Sequence, residues 1–123
     1  LEYANFNLGK SGHRILESTD SSTNSAKVSM PTLTIKLDDL VEKLSLPRPN
    51  HLKIDVDGIE SKILMGASGM LSSNSIRSVL CEMKADSEEE ALIKKLMDAK
   101  GFVQIGRFDP SENVYNYLFK KNG

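Results

Sequence analysis

Charged and apolar residues alternate along one short stretch of the chain. In HLKIDVDGIE, residues 51–60, every second residue from 53 to 57 is charged, namely Lys53, Asp55 and Asp57. Side chains on a strand switch faces at every residue, so these three share one face and the aliphatic residues between them share the other. A carboxylate beside a bound hydroxyl can orient it or accept its proton, and a nearby lysine favours the ionised carboxylate. The pattern predicts a strand whose polar face borders a wet cleft.

Two interpretations of these charges need no active site. Asp57 can cap a following helix while Glu60, three residues later, reaches back to the start of that helix. Lys53 and Asp55 can form a structural salt bridge, although burying such a pair costs each ion its hydration. Neither interpretation accounts for all three charges together. We therefore favour a cleft at the carboxyl end of the strand, where ligands bind in open α/β sheets.

The composition indicates an ordinary globular protein of one domain. The chain has 123 residues, of which 39% are hydrophobic and 27% are charged, and its formal net charge is -1. This charge gives no attraction to nucleic acid or to an anionic membrane, and no apolar run reaches the roughly 20 residues that span a bilayer. Cys81 is the only cysteine, so no intrachain disulfide can form and a reducing, cytoplasmic location is expected. The chain starts at Leu1 rather than at methionine, which suggests a piece of a longer protein.

The first 36 residues differ in character from the rest. Short strands near residues 3–8 and 13–17 are expected to form a hairpin, and the polar run at 18–27 predicts a mobile loop. The segment TLTIKLDDLVEKL then changes period, which indicates a strand at 33–37 followed by a helix that Asp38 caps.

Residues 37–123 predict an α/β core. The predicted helices are 59–71 and a helix from Ser87 to Gly101, and the predicted strands are 51–57, 77–83, 102–108 and 114–120. Ser87 and Glu90 form a capping box for the second of these helices. Alternating strands and helices predict parallel pairing, and the last two strands must be antiparallel because only the turn at Asp109 and Pro110 joins them. The sequence therefore predicts an α/β sheet with parallel strands and an antiparallel C-terminal strand.

Three stretches of this core resemble the C-terminal half of FkbM-type methyltransferases. They are TIKLDDL at 34–40, HLKIDVDGIESKILMGASGML at 51–71 and IRSVLCEM at 76–83. The family pattern includes lysine-isoleucine-aspartate-valine-glutamate-glycine-x-glutamate, then leucine-x-glycine-alanine, then a strand that ends in glutamate. The positions that match it are Lys53, Ile54, Asp55, Val56, Gly58, Glu60, Leu64, Gly66, Ala67 and Glu82. Asp57 stands where the family usually has glutamate.

The resemblance implies a fold and an activity. The core would be the C-terminal half of a Rossmann-like methyltransferase sheet, and the chain would be part of an S-adenosylmethionine-dependent O-methyltransferase. Its acceptor would be a hydroxyl of a sugar or secondary metabolite. The family's glycine-rich loop for S-adenosylmethionine has no counterpart in this sequence, so no cofactor-binding residue is identified. The chain on its own is expected to be inactive.

The resemblance also implies which residues act. Asp55 would carry catalysis with Lys53 holding it ionised, and Asp57, Glu60 and Glu82 would line the substrate side of the cleft. No metal site is predicted. A divalent ion held by these acids is an alternative that the sequence does not decide. The expected partners are a small-molecule or saccharide acceptor and a second copy of the chain, paired through the exposed edge of strand 51–57.

Two alternatives come from other classes of protein. The stretch DVDGI resembles the nucleophile motif of haloacid-dehalogenase-type phosphotransferases, but Ile59 stands where that family has threonine. The later lysine and paired aspartates of that family have no convincing place here. A non-catalytic interaction domain is the other alternative, in which the acidic strand end is only the capped start of a helix.

Overall fold

The computed structural model describes residues 31–123, except for the side chain of residue 109, and the backbone of residues 2–3, 13–14 and 28–29. The chain divides into two compact units, Leu1–Thr34 and Ile35–Gly123. Whether it forms a single domain with a hairpin and loop over residues 1–36 stays a prediction.

The first unit contains a small antiparallel sheet. Its strands are β1 (Glu2–Tyr3), β2 (His13–Arg14) and β3 (Val28–Ser29), and β1 pairs with both of the others. β1 overlaps the start of the strand predicted at 3–8, and β2 overlaps the start of the strand predicted at 13–17. The rest of those strands and the predicted mobile loop lie outside the described residues.

The second unit is a four-stranded sheet with helices. Its helices are α1 (Leu37–Lys43), α2 (Glu60–Gly66), α3 (Ser68–Ser72) and α4 (Glu88–Ala99), and its strands are β4 (His51–Ile54), β5 (Ser78–Lys84), β6 (Phe102–Ser111) and β7 (Val114–Lys121). The strand order is β4-β5-β7-β6, with β4 parallel to β5 and β7 antiparallel to both of its neighbours. The predicted α/β class with an antiparallel C-terminal strand is confirmed.

The hydrophobic core lies between the helices and one face of this sheet. On β5 the buried residues alternate with half-buried ones, because a strand presents only every second side chain to the core. The buried core residues are Ile54, Leu64, Ala67, Met70, Leu71, Ile76, Val79, Cys81, Met83, Ile93, Met97, Phe102, Tyr117 and Phe119. Lys53 pairs with Leu80, and each of them is next in sequence to a buried residue. Lys53, Leu80 and Glu82 therefore lie on the opposite face of the sheet.

The strand predicted at 33–37 is wrong. Residues 31–36 have no regular structure, Leu33 is 97% exposed, and α1 begins at Leu37. Five alternating residues favour a strand only where a neighbouring strand can satisfy the backbone, and these residues pair with no strand that the structure describes. Asp38 is not the N-cap either, because Lys36 holds that position and Asp38 lies inside the first turn.

The single helix predicted at 59–71 is two short helices. α2 ends at Gly66, Ala67 is a junction, and α3 starts at Ser68. The Asp38 carboxylate accepts hydrogen bonds from the N–H groups of Gly69 at 2.7 Å and Met70 at 3.0 Å, which satisfies the first turn of α3 from another helix. Glycine suits position 69, because a Cβ there would lie 3.0 Å from Asp38 Oδ2.

One of the two hydrogen bonds of the capping box predicted at α4 is confirmed. Ser87 Oγ accepts a hydrogen bond from Glu90 N–H at 3.1 Å, but the Glu90 carboxylate accepts from Asp86 N–H at 2.7 Å rather than from Ser87. Glu90 is only 7% exposed, so the start of α4 is anchored in the core.

The turn between the last two strands lies three residues beyond its predicted position. It is formed by Glu112 and Asn113, whose φ angles of 50° and 66° suit a two-residue hairpin loop. Pro110 falls instead at an irregularity in the pairing of β6 with β7. Among the described residues, no helix is both long and apolar enough to cross a bilayer.

Candidate functional site

A cavity of about 240 Å³ lies at the carboxyl ends of β4 and β5. The loops after parallel strands gather at that edge of a sheet, which is why ligands bind there. Its lining residues are Val56, Asp57, Gly58, Glu60, Glu82, Met83, Lys84, Ser87, Glu89 and Val114. Four of these are acids, so the lining offers hydrogen-bond acceptors to a ligand that carries hydroxyl or amino groups.

Two neighbouring strands deliver the first carboxylates to this edge. β4 ends at Ile54, which pairs with Cys81, so Asp55 and Glu82 follow side by side on the face away from the core. The chain then turns at Gly58, whose φ of 96° is a conformation that glycine adopts without strain, and α2 starts at Glu60. The three predicted substrate-binding residues, Asp57, Glu60 and Glu82, therefore line one cavity, and their role stays a prediction.

Lys53 and Asp55 form an ion pair next to Glu82. Lys53 Nζ lies 2.9 Å from Asp55 Oδ2, and the two side chains are 63% and 49% exposed. The hydrogen bond and the charge of Asp55 raise the pKa of Lys53 above its usual value. Neither residue is among those that line the cavity. The predicted pairing of Lys53 with Asp55 is present, and their catalytic role stays a prediction.

Glu82 is the link between the ion pair and the cavity. Partial burial raises its pKa above the usual glutamate value, and the charge and hydrogen bond of nearby Asp55 raise it further. The raised pKa of Glu82 reflects the cost of a second negative charge close to a carboxylate.

Glu60 is the most buried acid of the cavity. It is 4% exposed, and its Oε1 accepts a hydrogen bond from Gly58 N–H at 3.3 Å. Burial raises the pKa of Glu60 above its usual value, and backbone N–H groups of the same turn oppose part of that rise.

The alternative interpretation of Asp57 as the cap of α2 is wrong. α2 begins after Ile59, and no side chain at that N-cap position accepts a hydrogen bond. Ser61 N–H in the first turn of α2 donates instead to Glu89 Oε1 of α4 at 2.8 Å. Sequence reasoning missed Glu89 as a site residue, because a run of acids at a helix start is ordinarily explained by the helix dipole.

Cys81 does not supply a reactive thiolate to the site, and the described residues form no group of metal ligands. Burial, and next the charge of Glu60, raise the pKa of Cys81 to about 12, so it remains a thiol and packs as a small apolar residue. In the part of the chain that the structure describes, no three His, Cys, Asp or Glu side chains are grouped as metal ligands would be.

A loop for a methyl donor is not formed by residues 35–123. Of the glycines of MGASGM, Gly66 is the last residue of α2 and Gly69 lies in α3, so neither follows a strand, and the N–H of Gly69 is already bound by Asp38. These glycines therefore do not fit the role of a donor-binding loop, and the absence of such a loop from the sequence stays a prediction.

Comparison with known proteins gives two matches. A family described as "Methyltransferase FkbM domain" matches residues 2–117. The hexuronic acid methyltransferase AglP of Haloferax volcanii is 34% identical over 89 residues, which cover 72% of this chain and 36% of that protein. The chain thus spans about a third of the length of this curated relative, the matched share being 36%. No solved structure matches the chain significantly.

Proposed function

The chain belongs to the FkbM methyltransferase family, and on that premise we propose that it forms the acceptor-binding part of an S-adenosylmethionine-dependent O-methyltransferase. The observation that carries the proposal is the cavity at the carboxyl ends of β4 and β5, which is lined by four carboxylates. In this proposal the four-stranded sheet is the C-terminal half of a Rossmann-like methyltransferase sheet.

The proposed acceptor is a hydroxyl of a saccharide or a secondary metabolite. Ionised carboxylates only accept hydrogen bonds, so Asp57, Glu60 and Glu82 suit a ligand that offers several hydroxyl donors. The relative AglP is described as acting on hexuronic acid, which supports a sugar-like acceptor. Asp55, paired with Lys53 and next to Glu82, would orient the reacting hydroxyl.

The donor supplies a methyl group bound to a positively charged sulfur. Because residues 35–123 do not form a donor-binding loop, none of them is assigned a contact with the donor. Their proposed work is to bind the acceptor, to orient its hydroxyl and to accept its proton.

The test is a transfer assay with the natural protein that carries this chain. Methyl-labelled S-adenosylmethionine is mixed with the protein and with neutral hexoses, hexuronic acids and non-sugar alcohols, and labelled product is identified by mass spectrometry. Transfer to a hydroxyl that depends on the intact cavity supports the proposal. Magnesium-dependent phosphatase activity without transfer would favour a haloacid-dehalogenase-type enzyme, and failure to bind the donor at all would favour a non-catalytic domain.

A further inference from the structure

We propose that Glu60 is a catalytic residue of this site, the base that accepts the proton of the acceptor hydroxyl. The inference rests on the proposed function and changes the role expected for Glu60 from binding the substrate to reacting with it. Asp55 then orients the hydroxyl rather than deprotonating it.

The two candidate bases, Glu60 and Asp55, differ in how far they are buried. Glu60 is 4% exposed and lines the cavity, whereas the Asp55 side chain is 49% exposed and is bound to Lys53 at 2.9 Å. A base shielded from water exerts its full effect on a bound hydroxyl, while an exposed carboxylate in an ion pair is screened and partly neutralised. The geometry therefore favours Glu60.

The turn around Glu60 holds its carboxylate in place. Gly58 N–H donates to Oε1 at 3.3 Å, and backbone N–H groups of this turn stabilise the ionised form. The first turn of α2 is held in addition by the bond from Ser61 N–H to Glu89. A base fixed by its own backbone and by a neighbouring helix loses little freedom when the acceptor binds.

The charged residues that line the cavity with Glu60 are mostly acids. Asp57 precedes Glu60 on the loop after β4, Glu82 lies on β5 and Glu89 lies on α4, while Lys84 at the end of β5 is basic. Loss of hydration is the largest influence on Glu60, and the charge of Glu89 adds to it in raising the pKa. A carboxylate with a raised pKa is a stronger base and lies nearer to the working pH.

The proton balance of methyl transfer requires such a base. An oxygen–carbon bond forms, and the carbon–sulfur bond of the donor breaks with its electron pair remaining on the now neutral sulfur. The hydroxyl proton is left over, and the ionised Glu60 accepts it and later releases it to water.

The test compares pH–rate profiles of three variants in the natural protein. Glu60→Gln keeps the size of the side chain and an oxygen that can accept from Gly58 N–H, but it cannot accept a proton. We expect it to lower kcat by about 10²- to 10⁴-fold and to abolish the fall in rate on the acid side of the profile. Glu90→Gln is the matched control, a buried glutamate in the first turn of a helix that does not line the cavity, and it should keep that acid limb. Asp55→Asn should also keep the limb.

A second measurement does not depend on activity. The side-chain carboxyl of Glu60 is titrated by carbon NMR, and its midpoint should lie above the usual glutamate value and coincide with the acid limb. A wild-type profile in Glu60→Gln, or loss of the limb in Asp55→Asn instead, would overturn the assignment while leaving the proposed function intact. An ordinary midpoint for Glu60 would overturn it as well. Absence of transfer by the wild-type protein would instead refute the proposed function itself.

Discussion

Glu60 and Glu90 are both buried in the first turn of a helix, yet their pKa values move in opposite directions. Burial raises the pKa of Glu60, and the hydrogen bonds that it accepts do not compensate. Burial would raise the pKa of Glu90 too, but Lys94 Nζ at 2.6 Å and the Tyr117 hydroxyl at 2.7 Å more than offset it and lower the value. The environment of Glu90 therefore stabilises its ionised form, whereas that of Glu60 favours the protonated form.

These two environments predict opposite effects of pH on stability. A carboxyl with a raised pKa binds more protons when folded, so ionised Glu60 destabilises the fold near neutral pH, and this penalty fades as the pH falls below the usual glutamate pKa of 4.5. Glu60→Gln should therefore raise the free energy of unfolding at neutral pH and have little effect in acid. Glu90 has the opposite sign, because its lowered pKa gives stability that is present at neutral pH and lost in acid.

Glu90→Gln provides the comparison for that prediction. It should lower the free energy of unfolding by about 1 kcal/mol at neutral pH, since it weakens hydrogen bonds to charged partners, and by less in acid. Urea unfolding of both variants near neutral pH and near pH 4 measures these differences. Destabilisation by Glu60→Gln at neutral pH would contradict the assigned environment.

The contacts at the start of α2 predict different effects on stability for substitutions of Asp57 and Glu89. Since Ser61 N–H donates to Glu89 at 2.8 Å, Glu89→Ala should cost about 1 kcal/mol, the usual effect of losing a cap. Asp57→Ala should change stability by less than about 0.5 kcal/mol, as surface substitutions usually do. Glu89→Gln retains an accepting oxygen and should recover most of the loss. Thermal or urea unfolding distinguishes the variants, and a larger effect of Asp57→Ala than of Glu89→Ala would restore the capping role to Asp57.

At the scale of elements, several helix ends are closed by side chains from elsewhere in the sequence. Asp38 binds the start of α3 and Glu89 binds the start of α2. Lys121 Nζ donates to the carbonyls of Leu71 at the end of α3 and Lys100 at the end of α4. A cation at a helix C-terminus and an anion at an N-terminus both complement the helix dipole. Short helices such as α2 and α3 depend on such contacts because they have few internal hydrogen bonds.

This arrangement predicts a cost for changing Asp38. Asp38→Ala should lower the free energy of unfolding by about 1–2 kcal/mol, because it leaves two N–H groups of α3 without their acceptor. Hydrogen exchange at Gly69 and Met70 should become faster by more than exchange elsewhere. Asp39→Ala, in the same turn of α1, is the matched control. Equal effects of the two substitutions would show that Asp38 acts only through the dipole of α1.

The same contacts explain which elements the sequence could predict. Ser87 lies next to the helix that it caps, so its pattern was sufficient, whereas the start of α3 is bound by Asp38, which lies 32 residues before Met70. The meeting of Asp57, Glu60 and Glu82 was predictable, because parallel strands end at one edge. Glu89 was not, since its partner Ser61 is 28 residues away and no local pattern indicates that contact.

At the scale of the whole molecule, the sheet has two edge strands with different protection. β6 has irregular pairing between Gln104 and Gly106 and again around Pro110, and such bulges and prolines disfavour pairing with another chain. Within the residues that the structure describes, β4 is a regular four-residue strand whose one partner is β5. Its protection comes from its shortness and from Lys53, whose side chain is 63% exposed.

We therefore expect this chain on its own to form a weak dimer through β4. Lys53→Thr should strengthen the association, because it replaces a charge that opposes edge pairing with a residue that favours strands. Ile105→Lys on β6, where the native residue is 56% exposed, is the matched control and should leave the association unchanged. Light scattering over a concentration series gives the apparent mass of each variant. A lower mass for Ile105→Lys would place the interface at β6, and a monomer at every concentration, for Lys53→Thr as well as for the wild type, would show that the charge is not what keeps β4 unpaired.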